Sequence, residues 1–140
     1  MTTEARPQDQ APAIDEREEV RRRVWLVEDR LFMMVEFPNQ TPLTIDLMFN
    51  RLEELAAGLD RFTYVVDLSG VKRPDAQTRA RLMQRVRAVN SRLAHVGLVV
   101  GMNAVIRAVA KLVTFAVGFR SFSFHLTVDE ALEACRRALR

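Results

Sequence analysis

The stretch YVVDLSGVKRPDAQTRARL, residues 64–82, reads as a buried strand that stops on a polar turn and restarts as a helix. The run FTYVVDL at 62–68 is β-branched, aromatic and nearly continuous in hydrophobicity, the pattern of a central strand covered on both faces. Pro74 then disfavours helical geometry at Arg73, and Asp75 is a good N-cap, so Ala76, Gln77 and Thr78 are expected in the first turn of a helix. The amides of that turn have no intrahelical acceptors, and the helix dipole favours negative charge beside them. Loops that leave the carboxyl ends of central strands are where ligands and partners usually meet a sheet of this type.

Working outward, residues 23–37, RVWLVEDRLFMMVEF, hold two apolar runs separated by Glu28, Asp29 and Arg30 and predict a hairpin. Thr41 and Pro42 or Thr44 open a helix in which Leu47, Met48, Leu52, Leu55, Ala56 and Leu59 recur at helical spacing, and Gly58 suggests its end. The helix after Asp75 is predicted over 76–94, with Leu82, Met83, Val86, Val89 and Leu93 on one side, followed by a strand over 96–101, VGLVVG. Asn103 can cap the next helix, whose Val105, Ile106, Val109, Leu112, Val113 and Ala116 are expected to face inward and which ends at Gly118. Residues 121–126, SFSFHL, alternate and put Phe122, Phe124 and Leu126 on one face. Thr127 and Glu130 make a capping-box pattern for a last helix. The order ββαβαβαβα predicts an α/β fold, a mixed sheet of four to five strands with helices packed on it.

The chain of 140 residues is 49% hydrophobic, which suits one domain with a substantial core. Residues 1–21 are rich in charge and poor in large apolar groups, so a disordered tail is expected there and a single domain over 22–140. No stretch combines a basic start, an apolar run and a small-residue cleavage site, so secretion is not expected. The apolar region 96–117 is interrupted by Asn103, Arg107 and Lys111, against a membrane span. The single cysteine, Cys135, cannot form an internal disulfide and fits a reducing compartment, so a cytoplasmic protein is expected. The net charge is +3, carried almost wholly by arginine: only Lys72 and Lys111 are lysines, a bias that a GC-rich coding sequence explains as easily as a binding surface does.

Catalytic chemistry has no visible carrier. His95, at a predicted helix-to-strand turn, and His125, in a predicted strand, lack a second His or Cys at metal-ligand spacing, so no metal is expected. Phosphate-cradling and dinucleotide glycine motifs and the G-x-S-x-G nucleophile turn are absent, and no cofactor is implied. Cys135 shares an apolar stripe with Ala131, Leu132 and Leu139, as a core residue does. Asp67 and Asp75 flank the turn without a residue to take the second role that acid–base work needs. The chain is not expected to be an enzyme.

With these elements in place, VVDLSGVKRPDAQTRARL (65–82) resembles the core motif of the STAS domain, the SpoIIAA-like fold of the anti-sigma factor antagonists: a strand ending in Asp-[Leu/Val]-[Ser/Thr]-x-[Val/Leu], three residues, then Asp and a helix. VGLVVG, NAVIRAVAKLVTFAVG and SFSFHLTVDEALEACRRAL look like the family's next strand, helix, strand and final helix, so the resemblance covers 22–140. It implies a regulatory protein whose partner is an anti-sigma factor, a kinase-like protein or a transporter component. In the family's phosphorylation-switched members the modified Ser or Thr lies one or two residues after the aspartate matching Asp75. Those positions here are Ala76 and Gln77, which cannot be phosphorylated. Thr78, one residue on, is the candidate phosphorylation site, and Ser69 is expected to brace the turn.

The following helix extends the surface. At 100° per residue Arg81, Arg85, Ala88 and Arg92 share a stripe offset from the sheet-facing residues, expected to be solvated and positive. Residues 72–92 carry seven basic groups against Asp75 alone, and arginine suits contacts with carboxylate or phosphate. The expected partner-binding surface is Ser69, Lys72, Arg73, Asp75, Ala76, Gln77, Thr78, Arg81 and Arg85. No aromatic residue interleaves the basic groups of 72–92, so nucleic acid is not the expected partner. The leading reading is a non-enzymatic regulatory module that docks on a protein, with a homodimer compatible. The alternative is a small-ligand or lipid carrier of the same fold, with Phe32, Met33, Met34, Phe37, Met48 and Phe49 lining a pocket.

Overall fold

The computed structural model describes residues 14–119 and 121–140. In chain order it contains helix α1 (Ile14–Arg23), strands β1 (Val24–Glu28) and β2 (Leu31–Val35), helix α2 (Pro42–Leu55), strand β3 (Phe62–Asp67), helix α3 (Ala76–Val89), strand β4 (Leu93–Val99), helix α4 (Ala104–Val117), strand β5 (Phe122–His125) and helix α5 (Val128–Leu139). The strands lie side by side in chain order, β1-β2-β3-β4-β5. The hairpin β1–β2 is antiparallel, closed by a turn at Asp29 and Arg30 with Arg30 at φ 59°, and every later pairing is parallel. This is the mixed α/β sheet that the sequence predicts.

Alternation along the strands separates two apolar layers. Phe32, Met34, Tyr64, Val66, Val96 and Leu98 meet Ile45, Met48, Phe49 and Leu52 of α2, Val86 and Val89 of α3, and Ile106, Val109 and Val113 of α4. Leu31, Met33, Val65 and Val99 point the other way, onto Ala131 and Cys135 of α5. Of the residues expected to line a pocket, Phe32, Met33, Met34, Met48 and Phe49 are buried in the core and Phe37 packs half-buried against it, with Met34 and Phe49 bordering a cavity. Caps fall where the chemistry of the sequence puts them. Thr41 makes a capping box with Thr44, Pro42 starts α2, Asp75 caps α3, Asn103 caps α4, Gly118 ends α4 in the left-handed region, and the Thr127 side chain accepts from the Glu130 amide.

Several expectations change. Residues 1–13 of the expected tail lie outside the described residues, but from Ile14 onward it is helix α1. Val20 is buried there, Glu19 pairs with Arg22 and Arg23 one turn on, and the Arg23 guanidinium donates to the carbonyls of Val35 and Glu36 while lying 4.4 Å above the Phe37 ring. A charged segment is thus ordered by one long side chain reaching the end of β2. The helix predicted to reach residue 94 ends at Val89 with a short 3-10 turn, and β4 starts at Leu93, opposite Phe62, so His95 sits inside a strand. On α4, Val105, Leu112 and Ala116 are exposed, because the helix packs on α3 and the core and buries the arc holding Ile106, Val109, Ala110 and Val113. The remaining changes, at Thr78 and at the arginines of α3, belong to the site.

Where α5 crosses the sheet, β4 carries Gly97. A Cβ there would lie 3.1 Å from the Ala131 Cβ and 3.2 Å from the Ala131 carbonyl oxygen. Gly97→Ala is expected to push α5 outward and to cost roughly 1–3 kcal/mol, as overpacking of a close contact does. Equilibrium denaturation checks this, and unchanged stability would count against the close approach.

Candidate functional site

The β3–α3 loop is held at both ends by local bonds that its own residues supply. Asp67, at the end of β3, accepts from the Ser69 amide at 3.0 Å and from its hydroxyl at 2.7 Å, so Ser69 braces the turn as expected. The Lys72 amide donates to the Pro38 carbonyl, and the side chains of Lys72 and Arg73 stand in solvent. Asp75 accepts from the Thr78 amide at 2.8 Å, and that bond, more than any other effect, holds its carboxyl below the usual range. Asn103 ties the loop to its neighbour: its Oδ1 caps α4 through the Ile106 amide, while its Nδ2 donates to the carbonyls of Ser69 and Val71. Asp67 and Asp75 are thus each engaged in a separate local turn.

Of the expected surface residues, Ser69, Lys72, Arg73, Asp75, Ala76 and Gln77 are exposed and adjacent. Thr78 is not. It is 0% exposed, with its hydroxyl beside the Asp75 carboxylate but outside hydrogen-bond geometry. The side chain points inward because Thr78 lies four residues before Leu82 and eight before Val86, on the face of α3 that packs on the sheet. In this conformation its hydroxyl is enclosed.

Arg81 and Arg85 are not a free positive stripe either. Both guanidinium groups bind Asp46 of α2, Arg85 at 3.0 Å, and Arg85 also reaches Glu53 at 2.9 Å and Asn50 at 2.8 Å while lying 5.7 Å from the Phe49 ring centre. Arg92 turns the same way, donating to the carbonyls of Ala56 and Leu59 beyond the end of α2, over the Phe62 ring. The arginines therefore clamp α3 to α2. A signal for this existed: Asp46, Asn50 and Glu53 recur every three or four residues on α2, as Arg81 and Arg85 do on α3, with Arg92 seven residues further on, in the turn that follows the helix.

Two features escape sequence reasoning. Phase along β4 and β5 gathers His95, Ser121, Ser123 and His125 on the α5 side: His95 Nδ1 is 2.6 Å from the Ser121 hydroxyl, and Ser123 bridges the two rings at 2.8 and 2.5 Å. Burial holds both imidazoles below their ordinary pKa, and no group of three metal-ligating side chains exists among the described residues. Burial likewise pushes the Cys135 thiol up to about 11, as suits a core cysteine.

The second feature is a cavity of about 50 Å³ between the sheet and helices α3 and α4, walled mainly by apolar side chains such as Leu98, Val86 and Val113, with Glu36, Gln40 and Tyr64 among its lining residues. Glu36 is 5% exposed, and burial raises its carboxyl to about 7, while Arg23 opposes the rise in part. The Gln40 amide lies close enough to favour the ionised form but not at bonding geometry: Oε1 of Glu36 and Nε2 of Gln40 have no hydrogen-bond partner among the described residues. Burial and the neighbouring Glu36 push the Tyr64 phenol up as well.

No family model and no curated protein matches the chain. Among solved structures it is similar to an uncharacterised protein from the DUF3478 family with a SpoIIAA-like fold, from Shewanella loihica PV-4. The identity is 14%, the TM-score is 0.60, and the match covers 80% of this chain and 90% of that one. The chain has a SpoIIAA-like fold.

Two expectations follow from the buried groups. Thr78→Glu, the usual phosphate mimic, would force a carboxylate into a fully buried site and is expected to cost about 3 kcal/mol or more by chemical denaturation; a wild-type-like unfolding midpoint would show that the site opens. Glu36 binds its proton more tightly when folded than the ordinary value of 4.5 allows, so its contribution is most favourable below that value and is lost as pH rises to about 7. Stability of the wild type relative to Glu36→Gln is therefore expected to fall by on the order of 3 kcal/mol between pH 4.5 and 7. Parallel urea titrations across that range measure the difference, and a flat difference would refute it.

Proposed function

We propose that this SpoIIAA-like chain is a non-enzymatic regulatory module that docks on a partner protein through the β3–α3 loop and the outer face of α4. The observation that carries this reading is an apolar stripe left in solvent. Met102, Val105, Leu112 and Phe115 are 92%, 55%, 69% and 88% exposed. Val105, Ala108, Leu112 and Phe115 recur at helical spacing along one line of α4, and beyond Phe115 the surface continues into a shallow cleft with Phe119, Phe122 and Phe124. Monomeric proteins rarely leave large contiguous apolar patches uncovered without a use for them. The rim is basic: Arg107 and Lys111 lie along the stripe, and Lys72 and Arg73 stand on the loop that Asn103 ties to the start of α4.

The docking surface proposed here therefore keeps Ser69, Lys72, Arg73, Asp75, Ala76 and Gln77 and replaces Arg81, Arg85 and Thr78 with the α4 stripe. Its complement is a protein surface with an apolar ridge in an acidic surround, of the kind an anti-sigma factor, a kinase-like protein or a transporter component could present. Regulation would not run through phosphorylation of the first turn of α3, since Ala76 and Gln77 have no hydroxyl and Thr78 is enclosed.

Capture from extract with the wild type and with Leu112→Glu/Phe115→Glu, followed by rebinding of the purified partner, tests this. The double variant is expected to melt like the wild type and to bind the partner at least tenfold more weakly. Undiminished binding would sink the reading, and so would self-association of the wild type that the variant abolishes, which would assign the stripe to a second copy of the chain.

A further inference from the structure

We infer that the cavity between the sheet, α3 and α4 is a binding site for a slender apolar molecule with an uncharged head group that both donates and accepts a hydrogen bond, an aliphatic alcohol being the simplest. This goes beyond the docking surface and does not depend on it, since the cavity lies on the inner side of α4 and the apolar stripe on its outer side.

The polar groups of the lining set the head group. Glu36 Oε1 is an acceptor without a partner, Gln40 Nε2 is a donor without a partner, both atoms are buried, and the two side chains are neighbours. A buried polar group left unpaired costs about 1–3 kcal/mol, so a molecule satisfying both recovers a large share of that. A hydroxyl can donate to Glu36 Oε1 and accept from Gln40 Nε2. An ammonium head offers donors only and leaves the Gln40 N–H unpaired. A carboxylate offers acceptors only and meets the Glu36 charge. The charged and titratable neighbours are few: Arg23, from α1, gives both its carbonyl-directed bonds to the end of β2, and Tyr64 stays neutral. Burial holds Glu36 at about 7, so a neutral head meets a carboxyl that is neutral in part of the molecules at that pH.

The walls set the body of the ligand. Beyond Glu36, Gln40, Tyr64 and Thr114, the lining is aliphatic or aromatic, and the Thr114 hydroxyl is already committed to the Lys111 carbonyl. The volume, about 50 Å³, exceeds what one water needs but is small, so it takes a head group and a few methylenes. A longer chain would leave between α3 and α4, where the wall residues Leu82 and Phe119 are only partly buried. Such a site is concave, mostly apolar and given direction by a few polar groups, as small-molecule sites are.

Methyl-resolved NMR of the full chain at pH 7 tests the inference with three probes of equal length, 1-butanol, butylamine and butyrate. 1-Butanol is expected to shift the methyl signals of Val86, Leu98, Val109 and Val113 saturably and to bind at least fivefold more tightly than either charged probe. Ala110→Leu, which fills the cavity, is expected to abolish those shifts. Glu36→Gln keeps an acceptor and should retain binding, whereas Glu36→Leu should weaken it at least tenfold, which reads the head group even if the Ala110 variant does not fold. Tighter binding of butylamine or butyrate would overturn the head-group assignment. Absence of saturable shifts with any probe, or binding indifferent to both variants, would mean that water alone serves Glu36 and Gln40 and would overturn the site. None of these readouts uses Leu112 or Phe115, so the docking surface stands or falls separately.

Discussion

A right-handed crossover between neighbouring parallel strands puts its helix on a fixed side of the sheet, and this chain makes that crossover three times in succession while moving in one direction. Helices α2, α3 and α4 must then stack on one face. The other face would be bare if α5 did not return over β3 and β4, where Gly97 lets it settle against Ala131. The same constraint puts the β3–α3 and β4–α4 loops side by side at one edge, close enough for Asn103 to bind both. It also makes α4 the outermost helix of its layer. With a neighbour on one side only, α4 cannot bury the full width of its apolar arc, and the excess forms the exposed stripe.

The arginines divide by reach. Isolated exposed ion pairs contribute only about 0–1 kcal/mol. Arg85 differs from these, being 17% exposed and shared among Asp46, Asn50 and Glu53, so its bonds fix how α3 sits on α2. Arg92 finishes the same alignment by donating to the carbonyls of Ala56 and Leu59 just past the end of α2. Arg23 performs a comparable service at the other end of the sheet, and by docking α1 it leaves a cation near the buried Glu36. A carboxyl in so apolar a place is tolerated because it can stay protonated near neutrality and because that cation lies close by.

Glu36 and the exposed stripe sit on opposite sides of the layer formed by α3 and α4. The cavity is bounded by the inward arc of α4, Ile106, Val109, Ala110 and Val113, while Val105, Leu112 and Phe115 line its outward arc. One helix thus separates the enclosed polar pair from the surface offered to a partner, and any movement of α4 relative to α3 would alter both.

Elements were written in local chemistry. Continuous β-branched and aromatic residues made 62–67 a central strand, Asp75, Asn103 and Thr127 started helices, and Gly118 stopped one, because caps and strand interiors depend on residues within a turn of each other. The junction residues Ser69, Lys72, Arg73, Asp75, Ala76 and Gln77 were legible for the same reason. What the sequence could not decide by itself was which polar groups find each other across elements. The periodicity that marked Arg81 and Arg85 as a stripe holds equally for a solvated face and for a clamp, and only the approach of α2 brought Asp46 and Glu53 to them. Glu36 reads as a polar residue closing a strand, and Thr78 as an open first-turn hydroxyl, until the helical layer covers both. Side-chain type sets what a residue can do within one turn of chain, while burial and partners at long sequence separation are properties of the packed layers, and they alone decided which charges remained free.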